Sequence, residues 1–168
     1  MTATAIILRI FSNTLGNVYQ KKLTSKNHPI MISFLTYFLL FLVCIPLIFS
    51  NGYAIKNTEF LIYSTLMGIC GAIGNAFLVK SLKRGDLSVI GPINSYKSII
   101  GLILGIIFLK EYPNLLGVTG MALIFFGSYF VLDTTEEKFT LKLLKNKEIQ
   151  YRFLSLLFCS IEAIIIKK

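Results

Sequence analysis

Long apolar segments separated by short polar turns are the main pattern along this chain. A helix rises 1.5 Å per residue, so about 20 apolar residues are needed to cross the roughly 30 Å hydrocarbon core of a bilayer. Five such segments follow one another and a sixth begins near the C-terminal end. We therefore predict an all-α, polytopic membrane protein. Its predicted helices cover about 2–22, 30–50, 60–82, 87–109, 115–132 and, unfinished, 151–168.

The predicted connections are short and rich in turn-forming residues, with one exception. Asn, Gly, Pro and Asp mark the turns within SKNHP, SNGY, KRGD and EYPN. The exception, residues 134–150, is charged and weakly amphipathic, which fits either a segment lying on lipid headgroups or an ordinary solvated loop. In the first case its apolar side chains (Phe139, Leu143, Leu144) rest on the headgroups and its lysines (Lys138, Lys142, Lys145, Lys147) reach lipid phosphates. The chain thus divides into a five-helix membrane domain at 1–133, this charged amphipathic loop at 134–150 and a last helical segment at 151–168.

Basic residues outnumber acidic ones, and their positions indicate a topology. The chain has 17 Lys and Arg against 8 Asp and Glu, a formal net charge of +9. Most of the basic residues cluster in the first, third and fifth loops, which the positive-inside rule assigns to the cytoplasm, leaving the N-terminus outside. No basic stripe, zinc-ligand spacing or base-stacking motif accompanies the charge. We therefore expect membrane lipids, and no nucleic acid, as partners.

Few residue patterns suggest reaction chemistry. Cys44, Cys70 and Cys159 each lie within an apolar segment, which is typical of packing residues rather than of a disulfide framework or a metal site. The only histidine, His28, precedes Pro29 in a loop, and no nucleophile or set of metal ligands accompanies it. We therefore predict neither an enzyme nor a cofactor.

Three predicted helices combine a face of small and polar residues with an apolar back. Residues three, four and seven apart share one side of a helix. The small or polar faces consist of Arg9, Ser12, Asn13, Gly16 and Gln20 in the first helix, Ser64, Gly68, Gly71, Ala72 and Asn75 in the third, and Gly91, Asn94, Lys97, Ser98, Gly101 and Gly105 in the fourth. The second helix is bulky almost all round, and the fifth has no charge in its core.

Two interpretations of these faces are open. Small residues allow close helix packing, and Gly101 with Gly105 forms a GxxxG pair. Packing requires no cation, however, and a central lysine such as Lys97 costs roughly 2.5–3.5 kcal/mol on insertion scales and normally faces protein or a watery cavity. We therefore predict a cationic cavity between helices one, three and four that admits anionic or carboxylate-bearing solutes. Its predicted substrate-binding residues are Lys97, Asn94, Ser98, Asn75, Asn13, Gln20 and Arg9. Glu162 in the last segment is the coupling candidate, because it can form a proton-sensitive pair with Lys97.

Two stretches of this chain resemble the EamA-type repeat of the drug/metabolite transporter superfamily. They are NAFLVKSLKRGDLSVIGPI and GLILGIIFLKEYPNLLGVTGMALIFFGSYFVL, in which a basic turn leads to Ser88 and Pro92, Glu111 closes the fourth helix, and Gly120 and Gly127 are seven apart. The resemblance implies half of a ten-helix fold built from two inverted five-helix repeats, with substrate between them. It makes 151–168 the first helix of a second repeat. An internal echo supports this assignment, since TLGNVYQKK and SIEAIIIKK align on their paired lysines.

Three features depart from the family pattern. The chain stops at the start of the second repeat, which suggests either a truncated product or an incomplete gene. The charge bias places the N-terminus outside, whereas ten-helix relatives usually keep both ends in the cytoplasm. The first helix has Arg9 as its only central charge, in contrast to the essential Glu of four-helix multidrug relatives, so cation/proton antiport does not carry over.

The sequence favours a transporter of small metabolites that works by alternating access in the cytoplasmic membrane. A homodimer or a second repeat would complete the transport path around the small-molecule substrate. The alternative is a non-transporting membrane subunit, or an inactive fragment, whose helices only pack. In that case an apolar residue in place of Lys97 would be harmless or stabilising. A membrane enzyme fits the sequence least.

Overall fold

The computed structural model describes residues 2–51, 57–133 and 145–167, and every regular element in these ranges is an α-helix. The helices are α1 (Thr2–Thr24), α2 (Pro29–Asn51), α3 (Thr58–Arg84), α4 (Leu87–Ile93), α5 (Tyr96–Leu109), α6 (Leu115–Asp133) and α7 (Lys147–Lys167). The predicted all-α fold class is therefore confirmed. Residues 134–144, which hold most of the predicted charged loop with Lys138 and Lys142, lie outside the described ranges.

Four segments of the described chain are long and apolar enough to cross a membrane. They are Pro29–Pro46, Thr58–Arg84, Leu87–Leu109 and Lys147–Lys167, and a shorter apolar helix covers Leu115–Val131. Large apolar side chains cover the outer surface of α2, where Phe34 and Val43 are both exposed. Such a surface suits contact with lipid, so the molecule is a multi-pass membrane protein. With 23 residues α1 is as long as α2, but its polar face makes it less apolar.

The predicted fourth helix is interrupted in the middle of its span. α4 ends at Ile93, α5 begins at Tyr96, and the two residues between them, Asn94 and Ser95, have the dihedral angles of a 3₁₀ turn (φ −59° and −62°, ψ −28° for both). Backbone N–H groups here donate to carbonyls three residues back, as from Ser95 to Pro92 at 3.0 Å. Pro92, which has no N–H for the α-helical ladder and whose ring crowds the preceding turn, lies two residues before this break.

α7 packs along α3, and this is the most extensive helix–helix contact in the fold. The close approach depends on small residues of α3: a Cβ on Gly74 would lie 2.9 Å from Cys159 Sγ. The two helices are antiparallel, since the start of α7 at Ile149 lies beside the end of α3 at Arg84. α7 begins four residues earlier than predicted, at Lys147, which places residues 147–150 inside the helix.

Ion pairs connect the helices at both ends of the bundle. At one end, Lys21 Nζ of α1 donates to the Gly85 carbonyl oxygen at 3.0 Å and lies 3.8 Å from Asp86 Oδ1. At the other end, Lys167 Nζ of α7 lies 2.6 Å from Glu111 Oε2. Lys21 and Lys167 are equivalent in the internal echo, so the two aligned segments run in opposite directions. Inverted repeats require this antiparallel arrangement.

Candidate functional site: a cationic cavity

A cavity of about 530 Å³ lies between α1, α3, α7 and the break that separates α4 from α5. The residues lining it are Arg9, Ser12, Asn13, Asn17, Leu78, Asn94, Lys97, Arg152, Ser155, Leu156 and Cys159. Most of them are polar, and three are cations. The side chains from α1 are the most exposed, whereas Arg152, Ser155 and Leu156 of α7 are buried. The cavity therefore opens beside α1 and closes against α7.

The structure brings four of the predicted residues together in this cavity, namely Arg9, Asn13, Asn94 and Lys97. Asn94 lies within the break, and Lys97 is the second residue of α5. A proline and a tight turn thus place an amide and an ammonium group beside the polar face of α1. The hydroxyl of Ser160 in α7 donates to the Lys97 carbonyl oxygen at 3.5 Å, which joins this turn to α7.

Three predicted residues lie elsewhere. Ser98 is exposed and is not among the residues that line the cavity. Asn75 Nδ2 donates to Ser33 Oγ at 2.9 Å, so its side chain joins α3 to α2. Gln20 lies near the end of α1, where its carbonyl oxygen accepts a 2.7 Å hydrogen bond from Thr24 Oγ1.

Glu162 lies on the side of α7 that faces α3, and it does not line the cavity. A Cβ on Gly71 would lie 3.0 Å from Glu162 Oε1, which places the carboxylate directly against the small residue of α3. Tyr37 of α2 and Cys159 are among the titratable groups near it. Neither ion pair among the described residues contains Glu162 or Lys97, so these two side chains are not in direct contact.

Arg152 is the one cation among the described cavity residues that was not predicted from the sequence. Its side chain is only 3% exposed, and its Nε has no hydrogen-bond partner among the described residues. The predicted segment began at Tyr151, and no role was predicted for Arg152 within it. Within α7 as it stands, Arg152, Ser155 and Cys159 follow the i, i+3, i+7 spacing of one helix face, and all three line the cavity. That spacing is the signal from which the residue could have been found.

The charge of the cavity comes from side chains. The N–H groups at the start of α5 are used in the turn, as where Lys97 N–H donates to the Asn94 carbonyl at 3.1 Å and Ser98 N–H to the Ser95 carbonyl at 3.2 Å. None of the described lining residues is acidic. A buried cation without a partner is destabilising by several kcal/mol. The arrangement therefore suits the binding of an anion.

The comparisons with known proteins agree with this architecture. Residues 1–133 match the EamA-like transporter family, which covers the first five predicted helices. Neither the curated proteins nor the solved structures contain a significant match. The family match spans most of the chain, and the helices that it covers include three walls of the cavity. The chain therefore belongs to the EamA-like transporter family.

Proposed function

We propose that this protein carries small anionic, carboxylate-bearing metabolites across the cytoplasmic membrane by alternating access. The observation that supports this most is the cavity, in which Arg9, Lys97 and Arg152 converge without an acidic lining residue in the described chain. Family membership supports a transporter, and the three cations support the sign of the solute. A volume of about 530 Å³ suits a small metabolite.

Alternating access is supported by two features of the helices. Discontinuous membrane helices form the binding sites of many transporters, and here the break at Asn94 and Ser95 lies at the cavity. The antiparallel course of α1 and α7 is the second feature. We propose that a second repeat, or a second copy of the chain, supplies the remaining wall of the transport path.

The alternative function is a membrane subunit whose helices only pack. The contacts of Gly71 and Gly74 with α7 favour it, because they show that part of the predicted polar face of α3 serves close packing. The two functions differ in what they require of Lys97. A transporter of anions needs the charge, whereas a packing subunit is unaffected or stabilised when the charge is removed.

The test is uptake of radiolabelled lactate and succinate by proteoliposomes that contain the full chain. We expect Lys97→Met to reduce the uptake at least tenfold, because a charge-assisted contact contributes about 1.5–3 kcal/mol. Lys83→Met is the matched control, since Lys83 is exposed at the end of α3 and lines no part of the cavity. Uncharged lactamide and succinamide test the requirement for a carboxylate.

Wild-type uptake of the carboxylates but not of the amides, lost in Lys97→Met and kept in Lys83→Met, supports the proposal. Equal uptake by wild type and Lys97→Met would exclude Lys97 from substrate binding, whereas no uptake by either protein, with higher thermal stability of Lys97→Met, favours the packing subunit.

A further inference from the structure

Arg152 has the most buried charged side chain in the described part of the chain. Arg152 is only 3% exposed. Of the two other cations of the cavity, Lys97 is half-buried and Arg9 is exposed. A guanidinium stays protonated at any physiological pH. Arg152 therefore keeps its charge, and the free-energy cost of burying that charge remains. The group therefore needs an anion at the closed end of the cavity.

The described chain supplies no such anion. The acidic residue nearest in sequence, Glu148, lies one helical turn earlier, but it faces the α3–α4 turn beside Arg84 and Asp86. Glu162 faces Gly71 of α3 instead of the cavity. The ion pairs in the described ranges join Lys21 to Asp86 and Lys167 to Glu111, and neither involves Arg152. Its Nε is the only buried side-chain polar atom found without a hydrogen-bond partner in those ranges.

We infer that Arg152 is the residue that anchors the carboxylate of the transported solute, an inference that rests on the proposed function. A guanidinium offers a planar fork of N–H donors that matches two carboxylate oxygens, whereas an ammonium offers a point charge. Nε is buried without a partner in the described chain, and Arg152 lines the cavity that the solute would enter. Lys97 and Asn94, which line the same cavity, would contact the rest of the solute.

A phospholipid headgroup presents the same oxyanion chemistry as a free carboxylate. The solute is favoured because the guanidinium lies at the buried end of the cavity, behind the exposed residues of α1. The exposed apolar side chains, such as those of α2, are the surfaces expected to contact lipid. An experiment can separate the two sources by varying the lipid and the solute independently.

The test is thermal unfolding of the full chain in phosphatidylcholine nanodiscs, titrated with lactate and with lactamide. We expect lactate alone to raise the unfolding midpoint of the wild type, since a ligand that binds only the folded state stabilises it. Arg152→Gln should weaken lactate binding about 10- to 100-fold. Arg152→Lys should fall between the two, because it keeps the charge and loses the fork. The matched control is Arg84→Gln, which removes an exposed guanidinium outside the cavity.

The midpoint without ligand separates an anchoring role from a structural one. A buried guanidinium without an anion destabilises the folded protein. In the absence of ligand, Arg152→Gln should therefore unfold at the same temperature as the wild type or higher. A lower midpoint together with unchanged lactate binding would show that Arg152 is structural and would overturn the inference. Stabilisation by phosphatidylglycerol instead of lactate, dependent on Arg152, would identify a lipid site and overturn it as well. If lactate binds neither the wild type nor Arg84→Gln, the proposed function fails, and the inference fails with it.

Discussion

At the scale of single residues, the cations of the cavity are costly to place in a membrane, which indicates that they serve a function. The free energy of placing Lys97 within a span is unfavourable, and packing alone gives no reason for it. In the structure Lys97, Arg9 and Arg152 line one cavity. Each of them therefore contributes to the same positive potential. Like charges that share a cavity repel one another, and an anion bound between them would offset that repulsion.

Glu162 is the residue for which we predict a role in coupling transport to protons. Its neighbours are Gly71 of α3, Tyr37 of α2 and Cys159 on its own helix, and it does not line the cavity. If this carboxylate takes up the coupling proton, Glu162→Gln should remove the pH dependence of lactate uptake and leave lactate binding nearly unchanged. The measurement is uptake and binding over a series of pH values, with Glu59→Gln as control. A pH profile identical to that of the wild type would exclude Glu162 from coupling.

At the scale of helices, the contact between α3 and α7 determines where the cavity closes. Gly71 and Gly74 are buried, and their lack of side chains allows the backbone of α7 to approach. The same approach turns the face with Arg152 and Ser155 towards the break in the fourth span. A small-residue stripe on α3 therefore serves packing, and in doing so it positions the charged face of α7.

Gly74→Ala tests this contact. A Cβ there would lie 2.9 Å from Cys159 Sγ and 3.4 Å from the Cys159 backbone nitrogen, so we expect a loss of about 1–3 kcal/mol in the free energy of unfolding. Gly68→Ala, on the same helix with no atom within 4 Å of the new Cβ, should be neutral or stabilising by up to about 1 kcal/mol. Denaturation in detergent micelles measures both. Equal stability of the two variants would contradict the close packing of α3 and α7.

At the scale of the whole molecule, the two ends of the bundle differ in charge and are joined by different ion pairs. Lys21, Lys83 and Arg84 lie at the end where α1 and α3 terminate, and Lys167 pairs with Glu111 at the other. Exposed ion pairs contribute only about 0–1 kcal/mol each, so they do not hold the bundle together. Their value is that they identify which loops share a side of the membrane.

The predicted orientation follows from that assignment. With the richer basic end in the cytoplasm, a cysteine at Ser25 should react with an impermeant maleimide only in permeabilised cells, and a cysteine at Tyr112 should react in intact cells. Both positions are exposed. Cys44, Cys70 and Cys159 are replaced by alanine in the background protein. The reverse labelling pattern would place the N-terminus in the cytoplasm, as in ten-helix relatives.

Much of the fold could be predicted from the sequence because a membrane-crossing helix needs only a sufficient run of apolar residues that follow one another in the chain. Apolar length alone located α2, α3, α6 and the span Leu87–Leu109 to within a few residues. The start of α7 was placed too late, since hydropathy does not detect the polar first turn of a helix. The break after Pro92 was also missed, although the proline was visible, because a proline can bend a helix without dividing it.

The sequence by itself determined the spans, the polar faces of α1 and of the fourth span, and the family. These depend on composition and spacing within about 20 residues, which the bilayer converts directly into helices. Only the tertiary structure decided which polar side chains meet. Asn75 pairs with Ser33 instead of joining Lys97, and Arg152 enters the cavity from a helix more than 50 residues away in the chain. The direction of a side chain depends on how its helix is broken and on which neighbour lies against it, and neither is a local property of the sequence.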